Sequence, residues 1–108
     1  MNPGKLDRRI TLQSLEVARG NAGGVSESWT EVDTVWAEKV EQSTREFRSA
    51  VALRSEVNRM FRIRYRTDIT AKHRVLFDGR IHEIVGDPTE ENFKEFLLLA
   101  CNYTEGRT

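Results

Sequence analysis

A chain of 108 residues has room for one modest core and no second domain, because folding at this size hides only about two thirds of the surface that the extended chain exposes. Apolar residues at 38% and charged residues at 31% exclude a chain disordered throughout. The longest apolar run, Phe96 to Cys101, falls far short of the roughly 18–20 residues of a membrane-spanning helix, and seventeen basic against seventeen acidic residues argue against a protein that coats nucleic acid over its whole surface.

The opening residues Met1-Asn2-Pro3-Gly4-Lys5 run into Leu6-Asp7-Arg8-Arg9 without the apolar stretch of a signal peptide, so export is not expected. Ile10 and Leu12 alternate with Thr11 and Gln13, which predicts a short first strand over Arg9 to Glu16. Three glycines and small polar side chains between Val17 and Glu27 then predict a long mobile hairpin loop. Arg19, Gly20, Asn21, Gly23 and Gly24 are its candidate partner contacts. Trp29, Val32, Val35, Trp36 and Val40 supply a second strand with a break or bulge near Asp33-Thr34 and with Glu38 and Glu41 facing water. At least one of the two tryptophans is expected in the core.

Ser43-Thr44-Arg45-Glu46 has the spacing of a capping box, with the serine as cap, and predicts a short helix. Its apolar face comprises Phe47, Ala50, Val51 and Leu53, and Arg45, Arg48 and Arg54 stand at the margins. From Val57 the period becomes two, so that Phe61, Ile63 and Tyr65 face one way and Arg62, Arg64 and Arg66 form a row on the other side. Such a row is a solvated face in most proteins. It could equally track phosphates or pair with acidic residues of a neighbouring subunit. Asp78-Gly79 fits a type I′ turn between Arg74 to Phe77 and Arg80 to Val85, Gly86-Asp87-Pro88 ends that hairpin, and Phe96 to Tyr103 forms a last strand buried on both faces. The expectation is a mainly β fold: a small antiparallel barrel or sandwich of about six strands over residues 1–103, with one inserted helix, and a disordered tail over residues 104–108.

Chemistry is sparse. The glycine-rich segment lacks the lysine of a phosphate loop, Cys101 lies in an apolar run and is expected to be a buried thiol, and His82 sits mid-strand at a solvated or edge position. One cysteine with two histidines falls short of a zinc set. Glu90 and Glu91 are adjacent in a loop, which does not converge two carboxylates on a substrate. No catalytic residue, metal, cofactor or small-molecule substrate is expected. Charge is segregated, however: Arg45 to Arg80 holds ten Lys/Arg against four Asp/Glu, and both flanks are acidic. A basic middle with acidic ends suits pairing between copies.

Several motifs in unbroken order resemble the phage head-tail joining family, also called head-closure or stopper proteins. They are Gly4-Lys5-Leu6-Asp7-Arg8-Arg9-Ile10-Thr11-Leu12-Gln13, Trp29 with Val35-Trp36-Ala37-Glu38, Ser43-Thr44-Arg45-Glu46-Phe47, Arg62-Ile63-Arg64-Tyr65-Arg66, and Ile69 with Arg74-Val75, Gly79-Arg80-Ile81 and Glu83-Ile84. The resemblance covers residues 4–101. It implies a β-barrel that is monomeric alone and forms a ring, a dodecamer by the family's symmetry, beneath the portal and adaptor of the virion, having assembled from the host cytoplasm. That ring would retain packaged DNA through non-specific contact and offer the tail-side protein a surface. On this reading Arg45, Arg48, Arg54, Arg62, Arg64 and Arg66 line the channel or a subunit interface. A free-standing nucleic-acid-binding barrel and a tail-completion subunit of similar fold stay open as alternatives.

Overall fold

Residues 8–19 and 25–39 are rich in β-branched and aromatic side chains, which favour the extended pleat. In the computed structural model, which describes residues 6–20 and 23–104, they form the long strands β1 (Arg8–Arg19) and β2 (Val25–Lys39). The nine-residue helix α1 (Arg45–Leu53) follows, then β3 (Arg59–Arg64), β4 (His73–Phe77), β5 (Arg80–Ile84), β6 (Thr89–Glu91) and β7 (Phe96–Tyr103). All pairings are antiparallel, in the order β3-β2-β1-β4-β5-β7-β6, and β3 also pairs with β7. The sheet therefore closes on itself. The mainly β expectation with one short helix holds, with seven strands in place of about six, the additional one being the three-residue β6.

Ile10, Leu12, Ala37, Phe61, Ile63, Val75, Ile84, Leu97, Leu99 and Cys101 fill the interior of the closed sheet. A second cluster, Val40, Phe47, Val57, Met60 and Leu98, lies where α1 covers the outer side of β3 and β7. This explains why β7 is apolar on both faces. The Asp78-Gly79 turn has φ of 55° and 74°, both positive as a type I′ turn requires, and it joins β4 and β5 in the register Phe77↔Arg80.

One expectation for the first hairpin is corrected and one holds. The segment from Val17 to Glu27 is not a long loop: β1 and β2 stay in register out to Arg19↔Val25, because consecutive cross-strand hydrogen bonds hold both strands extended and confine the glycines to the tip. There Gly20 N–H donates to Gly24 O at 2.8 Å, and Gly23 takes φ +81°. Asn21 lies outside the described residues, as do residues 105–108 of the expected tail. The irregularity near Asp33 is present as a bulge, since Leu12 pairs with Asp33 and Gln13 with Glu31, leaving Val32 unopposed.

Candidate functional site

Arg62 shows how the fold changes the meaning of the arginine row. β3 runs between β2 and β7, so a side chain on its outer face emerges under α1 and beside β6 rather than into water. Arg62 is 7% exposed. Its guanidinium donates to both oxygens of Glu91, Nε at 2.5 Å and Nη2 at 2.9 Å, and through Nη1 to Glu38 at 2.8 Å. Glu46 on α1 is 3.8 Å away. Hydrogen bonding to Glu91 outweighs the opposing effect of burial and, with Glu38, raises the pKa of Arg62 above its ordinary value. One cation thus ties β2, α1 and β6 to β3. The expected water-facing Glu38 and loop-bound Glu91 are corrected accordingly; both are carboxylates of a network, and β6 exists to present one of them.

Arg66 is also committed within the chain, through Nε and Nη2 to Asp68 at 2.6 and 2.9 Å and through Nη1 to Asp33 at 2.9 Å. The guanidinium holds both carboxyls below their usual range. Of the three arginines in the expected row, only Arg64 is exposed.

The helix presents the other three. Its cap is Thr44 rather than Ser43: Thr44 Oγ1 accepts from Phe47 N–H at 3.3 Å and donates to Glu41 O at 2.8 Å. With Thr44 as cap the third helical residue is Phe47 in place of Glu46, so the expected capping box does not form. Phe47 is buried and Ala50 and Val51 pack beside it, but Leu53, expected on the same face, is 80% exposed. Arg45, Arg48 and Arg54 are all exposed. The Arg54 side chain lies over Gly86, where an added Cβ would stand 2.7 Å from its Nε.

Two further expectations change. Neither tryptophan is in the core: Trp29 is covered by the guanidinium of Arg74 at 4.1 Å and Trp36 by that of Arg9 at 4.8 Å, an amphipathic arrangement that suits outer sheet faces. His82 is buried rather than solvated, because the closed sheet turns it inward between Phe61, Phe77 and Tyr103. Its Nδ1 faces Arg80 O at 3.0 Å, and its Nε2 has no hydrogen-bond partner. Burial pushes its pKa down. Cys101 is fully buried with its thiol pushed up by desolvation. Among the described residues no group of three or more His, Cys, Asp or Glu side chains is placed to hold a metal.

Sequence reasoning missed the outer half of the first hairpin. β4 pairs with β1 only over 11–14 and β3 with β2 only over 37–39, so from Leu15 outward the hairpin is a free two-stranded ribbon. The register places Leu15 beside Trp29, Val17 beside Glu27 and Arg19 beside Val25 on one face, and Ser14/Thr30, Glu16/Ser28 and Ala18/Ser26 on the other. The signal was present as a period of two in Leu15, Val17 and in Val25, Glu27, Trp29.

A family model described as phage head completion protein matches residues 1–106. The solution structure of protein SF1141 from Shigella flexneri 2a is similar at 29% identity, covering 99% of this chain and 100% of that one, with a TM-score of 0.78. A chain from the virion of a native gene transfer agent particle shares the fold at 18% identity, covering 91% and 94% of the two chains, with a TM-score of 0.61. No curated protein matches the chain.

Proposed function

The chain belongs to the phage head completion protein family and has a structural role in the phage head; from that premise we propose that it is the non-enzymatic subunit closing the DNA exit of the filled head, as a ring between the portal-adaptor complex and the tail-side protein. The observation that carries this is the family match across nearly the whole length, residues 1–106. The geometry supports it. A closed sheet braced by the Arg62 network is a stiff block, and four of its exposed cations, Arg45 and Arg48 on α1, Arg54 at the helix's C-terminal cap and Arg64 at the end of β3, stand apart from that network. Exposed guanidiniums attract phosphate without reading sequence, which is what a channel holding packaged DNA requires. Arg62 and Arg66 serve instead to hold the subunit together.

Deleting the gene from its phage tests the reading. Heads should fill with DNA, lose it on isolation and fail to attach tails, and supplying the chain should restore both. Tailed, DNA-filled particles formed without the chain would overturn the proposal.

A further inference from the structure

The polarity of the first hairpin reverses along its length. On the body, the inward side of β1 and β2 carries Ile10, Leu12, Val35 and Ala37, which join the core. Following the same side outward past the bulge at Leu12/Gln13 leads to Ser14/Thr30, Glu16/Ser28 and Ala18/Ser26. The apolar side chains have moved to the other face, where Leu15 is 39% exposed, Val17 58% and Val25 59%, in line with Trp29. A ribbon that merely extended the sheet would keep its apolar side toward its own core. This one turns it away.

The ribbon is also poorly supported. Five residue pairs at about 3.3 Å carry it roughly 17 Å beyond its last flanking strand, and two strands without a third are at best marginally stable in water. The molecule measures 51 × 25 × 24 Å.

A complementary surface exists on the same chain. Between α1 and the strands β3 and β7 runs a groove of about 440 Å³ lined by Ala50, Leu53, Met60, Leu98 and Ala100, with Arg45 and Glu46 also on its wall. The ribbon carries Glu16 and Glu27 against Arg19, whereas the helix beside the groove and its C-terminal cap carry Arg45, Arg48 and Arg54 against Glu46. An apolar, net acidic ribbon and an apolar groove beside a net basic helix complement each other in both respects. They lie on different parts of the molecule, so their contact is head-to-tail and propagates around a ring.

We infer that the β1–β2 ribbon of one copy docks its Leu15, Val17 and Val25 face into the α1–β3–β7 groove of the next copy, and that this contact joins subunits around the ring. The inference deepens the head-closure reading by naming the partner surface. It is tested with the chain carrying Val17→Cys and Leu53→Cys, supplied to heads of its phage that lack the gene and then exposed to a mild oxidant. A ladder of chain multiples on non-reducing electrophoresis is expected, absent from either single variant. Val17→Glu and Leu53→Glu should each lower the copies retained per head at least tenfold while leaving the thermal melting of the purified chain unchanged.

Incorporated chain that gives no ladder, a Val17→Cys chain that links to a different protein, or glutamate variants retained at wild-type level would overturn the inference and leave the head-closure reading standing. Failure of the unmodified chain to enter heads would overturn that reading instead. In that event the oxidised double variant at high concentration decides the copy-to-copy contact alone: a ladder supports it and its absence overturns it.

Discussion

Arg62 and His82 carry opposite kinds of burial. Arg62 is satisfied by Glu91 and Glu38, so removing it leaves two half-buried carboxylates facing each other. Arg62→Ala should lower stability by about 3 kcal/mol, as breaking a buried ion pair does. Arg64→Ala, on the same strand but exposed, should change it by less than about 0.5 kcal/mol; urea unfolding of both variants checks the contrast. His82 is neutral because desolvation disfavours its cation, and the nearby Arg59, Arg80 and Lys39 add to that. Above the unfolded value of 6.5 both states are neutral and no effect arises. As pH falls below it, the unfolded chain takes up a proton that the folded chain refuses, so stability drops until the lowered folded pKa is reached. The urea midpoint of the wild type should fall between about pH 7.5 and 5.5, above the ordinary carboxylate range. His82→Phe should flatten that dependence, and an unchanged slope would place its origin elsewhere.

At the scale of elements, α1 is held by the packing of Phe47, Ala50 and Val51, since nine residues are fewer than the roughly 12–15 at which isolated helices become marginally stable. Its arginines contribute little to that packing. The triple variant Arg45→Ala, Arg48→Ala, Arg54→Ala should keep the stability of the purified chain within about 1 kcal/mol, taking surface substitutions as near neutral, and should impair DNA retention in filled heads. Normal retention would show that the helix is scaffold alone. The β1–β2 ribbon should behave differently from the β4–β5 hairpin. Its amides have no third strand and no core behind them, so hydrogen exchange over 15–19 and 25–29 in the free chain should be much faster than over Arg80–Ile84, which packs into the interior through His82 and Ile84. Equal protection would mean that the ribbon is stable without a partner.

The whole molecule combines a block closed by the β3–β7 pairing with one projecting arm, and its radius of gyration of 14.8 Å exceeds the roughly 13 Å of a compact domain of this length. A single apolar ribbon face and a single groove give one weak contact per pair in solution, whereas a ring on a template engages every contact at once. The purified chain should therefore sediment as an elongated monomer at micromolar concentration. A stable ring under those conditions would mean that assembly needs neither portal nor adaptor.

Local chemistry was legible without coordinates wherever neighbours in sequence decide the outcome. The Asp78-Gly79 turn, the short helix, the doubly buried Phe96 to Tyr103 strand and the family resemblance all depend on residue types at short spacing, and all are present in the folded chain. What depended on strands distant in sequence was not legible. Arg62 alternates with Ile63 just as a solvated residue would, and only the arrival of Glu38, Glu46 and Glu91 from three other elements buries it. His82 lies inside and both tryptophans outside for the same reason: period two states that neighbours face opposite ways, and closure of the sheet decides which way is in. The glycines near residue 20 suggested a loop because propensity is a local quantity, whereas the register of β1 against β2 sums many cross-strand bonds and overrides it. The bulge at Leu12/Gln13 leaves Val32 unopposed, and tertiary structure alone determined that the apolar side chains beyond it face away from the core.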